Sequence, residues 1–373
     1  MKRLSHIFLV YLFLITMLSG CAEQLPLEDM TMQLMLGIDL SKDNNLIFYE
    51  TNPVFSKTSK KSSETIEVKA TSIRDARNKF DTKVKGFVNG SKIQVILIGK
   101  KVLEHPDWFS LFDTIYRNPK FSLNSRVIAV DGPLSSIMYY QSEDNVLLPL
   151  HLKTLIDTNN RRNSTVQTTL HELHRQIYEK GITPSISEIK DGTQLRLTGT
   201  SLLNHKGKHV HSFNISETAL LLILQKEERG EVSFTHFSLP INNKNELFHQ
   251  DDISFSASNI KTKIKSAYHQ NKFHFDIKIN MPIYLGERMF PYNMSKNEKN
   301  FKKMVEEKLT KQFEDLIKII QAKKIDPIGL GLYARAHHYA EYKKVEDEWG
   351  KALATSTINV SVKVDLISTG NVK

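Results

Sequence analysis

Cysteine is nearly absent. The 373-residue chain uses it once, at Cys21, and every later position lacks a thiol. With that thiol taken up elsewhere, a disulfide framework, a Cys-ligated zinc and thiol catalysis are excluded from the body together. A second long apolar run is also missing. Past residue 20 no stretch reaches the roughly 18 apolar residues of a bilayer span. There is no internal repeat and no low-complexity tract. No P-loop, nucleophile elbow or Ser-His-Asp arrangement is visible, although triad members need not be adjacent in sequence. Nothing argues positively for an enzyme. The modules that read nucleic-acid bases are missing too.

What is present is apolar mass and positive charge. Hydrophobic residues make up 40% of the chain, enough for one large core or two. The formal charge is +10, and Lys2 and Arg3 are the only charges in residues 1–20, so residues 21–373 keep +8. Such a balance permits nucleic acid, anionic lipid or anionic polymer as a partner. The lysines are spread among Glu and Asp, so the charge reads mainly as solvated faces, and no nucleic-acid partner is expected.

The N-terminus reads as an export signal. Lys2 and Arg3 precede an apolar run from Ile7 to Met17, interrupted only by Thr16. That is the length of a signal-peptide core and short for a membrane span. Leu18-Ser19-Gly20-Cys21 then resembles a bacterial lipobox. Cleavage is expected between Gly20 and Cys21, with the thiol diacylated. Two acyl chains give stable attachment where one is marginal.

The body alternates strand and helix patterns. Strands are expected over Met30–Leu40, 46–55 and 64–70, with the first two forming a hairpin. Ser72 and Asp75 resemble a capping box before a helix whose apolar face is Ile73, Ala76, Phe80 and Val84. Residues 92–99 and 125–130 read as buried strands around a helix over 107–116. Two helices follow between Leu147 and Lys180, with Gly181 as the second helix's C-terminal cap. Residues 194–213 read as two strands around a Lys-Gly turn. Residues 217–225 are a helix or a strand, and 231–237 a strand. Segments 252–268 and 273–284 read as a hairpin. The longest helix is expected over 297–324, with Phe301, Val305, Leu309, Phe313, Leu316 and Ile320 as its stripe. A strand alternating from Ile358 to Leu366 closes the chain. The order implies an α+β, multi-domain chain: mixed sheets with packed helices, and a long helix before a final edge strand.

Candidate chemistry is sparse. His171-Glu172-Leu173-His174 is a truncated zincin motif. Its histidines sit at i and i+3, where a shared metal needs i and i+4, so they read as solvent-side helix residues. His205, His209 and His211 fall in one hairpin, with the last two expected on one face. A polar face is the favoured reading over a weak metal site. Gly329-Leu330-Gly331-Leu332-Tyr333-Ala334 matches the dinucleotide string but follows a helix and Asp326-Pro327, not a strand. It reads instead as a turn where glycine packs closely or takes a positive φ. No metal, cofactor or catalytic residue is assigned.

The segment "DPIGLGLYARAHHYAEYKKVEDEWGKALATSTINVSVKVDLISTG" resembles the end of the C-subunit lipoproteins of bacterial spore germinant receptors. The matching positions are Asp326, Gly329, Gly331, Trp349 and Gly370. "RLTGTSLLNHKGKHV" with "ETALLLILQ" is similar to that family's mid-chain segment. "GIDL", "ATSIRDARNKF", "KIQVILIG" and "YRNPKF" are similar to its N-terminal half. The chain departs from the family at Ala22-Glu23 and at Asn118. The resemblance implies several mixed α/β domains, divided here as leader 1–20, an N-terminal domain 21–195 and a C-terminal domain 196–373. It also implies a non-enzymatic receptor subunit anchored through diacylglycerol on Cys21, on the outer face of the spore inner membrane. The implied partners are integral membrane A- and B-type subunits that respond with it to nutrients. Asp326, Gly329, Gly331 and Trp349 are expected to maintain the fold or an interface. Two other readings compete: a transporter's solute-binding lipoprotein, which needs two similar lobes around a cleft, and an envelope hydrolase, for which no acid–base pair stands out.

Overall fold

The structure is a computed structural model. It describes residues 6, 29–55, 61–140, 146–190, 195–239, 252–288, 290 and 292–368. The leader apart from His6, including Gly20, and also Cys21 and Gly370 lie outside these residues.

The elements run in this order: β1 (Met30–Met32), β2 (Met35–Leu40), β3 (Leu46–Pro53), β4 (Ser63–Lys69), α1 (Ile73–Asp81), β5 (Phe87–Asn89), β6 (Val95–Gly99), α2 (Lys100–Leu103), α3 (Asp113–Tyr116), β7 (Arg126–Asp131), α4 (Leu134–Met138), α5 (Leu148–Arg161), α6 (Leu170–Tyr178) and β8 (Ser185–Lys190). Then come β9 (Arg196–Leu203), β10 (His209–Asn214), α7 (Ile215–Gln225), β11 (Val232–Ser238), β12 (Asp252–Ala257), β13 (Lys261–His269), β14 (Lys272–Arg288), α8 (Met294–Lys323), α9 (Leu330–His337), α10 (Tyr339–Lys343), α11 (Trp349–Ala354) and β15 (Thr357–Ser368). The fold is α+β, as the order of patterns implied.

An eight-stranded sheet runs β10-β9-β8-β7-β6-β2-β3-β4. Its centre, β2-β6-β7-β8, is parallel and its two wings are antiparallel. Central parallel strands need both faces covered, and the residues alternate accordingly. Ile96, Ile98, Val127 and Ala129 join a core with α1, Trp108, Phe112 and α6. Val95, Leu97, Ile128 and Val130 join the opposite core with α4 and α5. The division at 195/196 falls in the connection between β8 and β9, which pair antiparallel in this same sheet.

The second sheet runs β11-β12-β14-β13, with β15 parallel to β14 on its other edge. Its inner face and α8 share one core with α7 and α11. Val360, Val362 and Val364 alternate inward, where α8 packs on β15.

Several expectations shift. The strand expected over 30–40 breaks at Gln33–Leu34. There β1 pairs with β5, while β2 joins the large sheet. The helix expected at 107–116 is a 3-10 turn, Trp108–Phe112, followed by α3. Residues 252–268 are two strands, separated by a turn with Asn259 at φ 53°. The ambiguous stretch at 217–225 is helical: Asn214 and Glu217 form a reciprocal capping box that fixes its start. Seven successive residues of α7, Thr218 to Leu224, are buried because it packs on β9 and β10 and against α8. α8 carries a short extra turn from Met294, capped by the Asn293 side chain, and is kinked at Asn297 (φ −126°), where the expected long helix starts.

Candidate functional site

Four of the expected residues meet around one carboxylate. α8 ends at Lys324, which takes a left-handed conformation. The chain then turns through Asp326, which is 0% exposed. Its Oδ1 accepts from the backbone N–H groups of Gly329 (2.8 Å) and Leu330 (3.1 Å). Its Oδ2 accepts from Gly331 N–H (2.8 Å) and the Trp349 indole N–H (2.7 Å). Burial pushes the carboxyl up, and these four bonds pull against it. Four donors and no acceptor complete the ionised form, since a neutral acid would need a partner for its proton.

The backbone of Asp326 is tied as well. Its N–H donates to Thr183 Oγ1 (2.9 Å), and its carbonyl accepts from Thr183 N–H (2.8 Å). Gly329 sits at φ 85°, open to glycine at no steric cost. Gly331 is glycine for a different reason. A Cβ there would lie 2.7 Å from both Gly181 Cα and Trp349 Nε1. Gly181 is therefore not a helix cap. α6 ends two residues earlier at Glu179, and Gly181 lets two backbones touch. Trp349 is held by Phe273 and Tyr342, with ring centroids 5.2 and 5.3 Å away. The cluster thus joins the segment after α6, the ends of α8 and α9, and α11. With both oxygens filled by internal donors, what the arrangement does chemically is hold segments together.

The histidines disperse. His174 packs among Tyr116, Tyr178 and Phe109, with centroids 4.4 Å from Tyr116 and 4.6 Å from Tyr178. Burial pushes its pKa down. It is thus half-buried among aromatics, not on the solvent side, while His171 is exposed. A bulge between His209 and His211 breaks the simple alternation expected there. Among the described residues, no group of three His, Cys, Asp or Glu is placed to hold a metal.

Sequence reasoning does not single out Glu188. It is buried on β8 and accepts from Ser201 Oγ (2.5 Å), Ser212 Oγ (2.5 Å) and Lys100 Nζ (3.0 Å). Burial pushes its carboxyl up, but these bonds outweigh burial and hold it below the usual range. His209 Nε2 lies 3.0 Å from Ser212 Oγ. The grouping has the composition of a Ser-His-Glu triad with the wrong direction. The one Ser212 proton goes to Glu188, so His209 must donate to Ser212 and cannot act as its base. The trace of Glu188 in the sequence is slight: an acid beside Ser187, between Ile186 and Ile189.

Two open clefts flank α7. One of about 420 Å³ is lined by Gln167, Glu172, Arg175 and Gln225 among others. Another of about 780 Å³ is lined by Arg161, Glu217, Phe234 and Asp315 among others. Neither is lined by Asp326 or Glu188.

Residues 23–191 match the family described as spore germination protein N-terminal domain. Residues 198–370 match the one described as spore germination B3/GerAC like, C-terminal. The chain belongs to the GerAC-type spore germination proteins. This is the germinant-receptor C-subunit family that the sequence resembled. The fold agrees: the crystal structure of the GerBC protein matches with a TM-score of 0.57 at 16% identity, over 89% of this chain and 96% of that one. No curated protein matches the chain. The GerAC-type matches meet between residues 191 and 198, in the connection from β8 to β9.

Proposed function

We propose that this GerAC-type chain is a lipid-anchored, non-catalytic subunit of a nutrient germinant receptor in the spore inner membrane. Diacylglycerol on Cys21 would hold it to the outer face. A- and B-type integral membrane subunits would be its partners. The observation that carries the reading is the family match along residues 23–191 and 198–370, directly after the lipobox-like Leu18-Ser19-Gly20-Cys21. The inverted Ser212–His209 geometry supports the non-catalytic part. Asp326, Gly329, Gly331 and Trp349 act in this reading as a structural tie. A solute-binding role would need two similar lobes, and the eight-stranded and five-stranded sheets are not alike.

The test is dipicolinate release from spores lacking the protein, challenged with single nutrients and mixtures. Loss of the response to one nutrient class, with the response to exogenous dipicolinate intact, is expected. An unchanged response to every nutrient would overturn the receptor role unless a second receptor, deleted in turn, removes it.

A further inference from the structure

The outer face of the second sheet gathers lysines that the sequence scatters. On β13, Lys261, Lys263 and Lys265 alternate outward, while Ile264 and Tyr268 pack toward the core. On β14, Lys272 and Lys278 share that exposed face, and on β15 so does Lys363. The register brings them together. Lys263 stands directly opposite Lys278, Lys278 is beside Ser361, and Lys363 is beside Asn280. Among the described residues, none of the six makes an ion pair or a side-chain hydrogen bond. Lys265 has a carboxylate, Asp276, directly opposite, but Lys263 and Lys278 are like charges directly opposite each other, which destabilises a sheet.

Three carboxylates share the face of these strands. Asp276 stands opposite Lys265 and accepts from Asn359 Nδ2 (3.0 Å), Asp365 is half-buried beside Pro282, and Glu287 at the far end of β14 accepts from Ser254 Oγ (3.0 Å). The face therefore carries six positive charges against three negative ones. Lys261 to Lys265 covers about 13 Å along β13, and the three strands about 10 Å across. Tyr284, 38% exposed, continues the same face of β14, and Ile367, 55% exposed, lies in the bulge beside it. The opposite face is fixed by α8 and the core, so the lysines ride on a rigid support.

We propose that this face docks on an anionic phospholipid surface. The proposal rests on the membrane-attached reading above and deepens it by naming the surface that lies against the bilayer. The chemistry favours lipid over the alternatives. The cations of the patch are all lysine, which acts as a point charge, whereas arginine supplies the fork that grips individual carboxylates and phosphates. A tyrosine beside the lysines suits the headgroup level of a bilayer. Basic residues near an anionic leaflet each add to the attraction, within about a Debye length.

The experiment uses the chain from Ala22, which retains every element from β1 to β15 and cannot be acylated. Binding is measured by co-sedimentation with vesicles of phosphatidylcholine alone, or with about a third phosphatidylglycerol. Binding to the anionic vesicles alone is expected, weakening as salt rises. The triple variant Lys263→Ala, Lys278→Ala, Lys363→Ala should bind about 100-fold more weakly. Lys303→Ala, Lys311→Ala, Lys318→Ala removes equal charge from α8, where these lysines are paired with Glu307 and Asp315. It should change binding only a few-fold. Equal loss in both triples would overturn the proposal, because net charge alone would then explain binding. So would equal binding to neutral vesicles. Absent vesicle binding, with the first triple instead losing co-purification with the membrane subunits, would reassign the face to an acidic protein surface. The single variants Lys263→Ala and Lys363→Ala, each expected to weaken binding about 5-fold, give an answer even if the triple fails to fold. Detecting acyl chains on Cys21 of the full-length protein separately tests the membrane-attached reading, so the two can fail independently.

Discussion

Trp349 donates its indole N–H to Asp326 across 2.7 Å, from a helix that starts 23 residues further along the chain. That bond closes the shell around a fully buried carboxylate. It also ties α11 to the turn between α8 and α9. Trp349→Phe keeps most of the ring and removes the donor. It should cost about 1–3 kcal/mol in urea unfolding. Asp326→Asn should cost at least as much, because its amide hydrogens would face the donors of Gly331 and Trp349. The double variant should be less damaging than the sum of the two, since both act on one bond.

Glycines 329 and 331 should differ in cost because they are glycine for different reasons. Gly329→Ala puts a side chain at φ 85° and should lose about 1 kcal/mol. Gly331→Ala drives a methyl into Gly181 and the Trp349 indole and should lose about 2–3 kcal/mol. Thermal unfolding of the two variants side by side checks the order. Equal losses would show that the backbone contact relaxes freely.

Glu50 should make stability depend on pH. It is buried on β3 and accepts one bond, from Asn52 Nδ2 at 2.7 Å. Burial pushes its carboxyl up to about 7, against the pull of that bond. The folded chain therefore holds the proton more tightly than the unfolded chain. This contribution is complete below about pH 4.5 and is lost as pH rises toward about 7, up to about 3 kcal/mol. Glu50→Gln removes the titration. Relative to the unsubstituted chain, it should gain stability at pH 8 compared with pH 4.5. A difference that does not vary with pH would rule the titration out.

Cys21 should decide where the protein is found. Cys21→Ala removes the thiol that acylation requires. Mass spectrometry should find no acyl group, and attachment to the inner-membrane fraction of spores should become sensitive to a high-salt wash that leaves the unsubstituted protein in place. Retention through that wash would require an anchor other than Cys21 and the lysine face.

How much was readable in advance follows from how far apart the partners lie. The donors to Asp326 at Gly329, Leu330 and Gly331 are three to five residues away, so the turn could be picked out of the string. The buried strands β6 and β7 showed as apolar runs because both of their faces are covered. Glu188 stayed hidden because its partners Lys100, Ser201 and Ser212 are 88, 13 and 24 positions distant. Gly181 looked like a cap because it follows a helix, yet its constraint comes from Gly331, 150 residues on. The lysine face was invisible for the same reason: only the register of β13, β14 and β15 makes neighbours of Lys263, Lys278 and Lys363.

The eight-stranded sheet takes β9 and β10 from after residue 195 and its other six strands from before it. Two relatives that exchanged halves at that point would each have to rebuild the β8–β9 ladder from strands that had not diverged together. A change in one strand must be answered in its neighbour across the join. Exchange of halves between relatives at this point is therefore expected to lower stability even when no binding surface is touched.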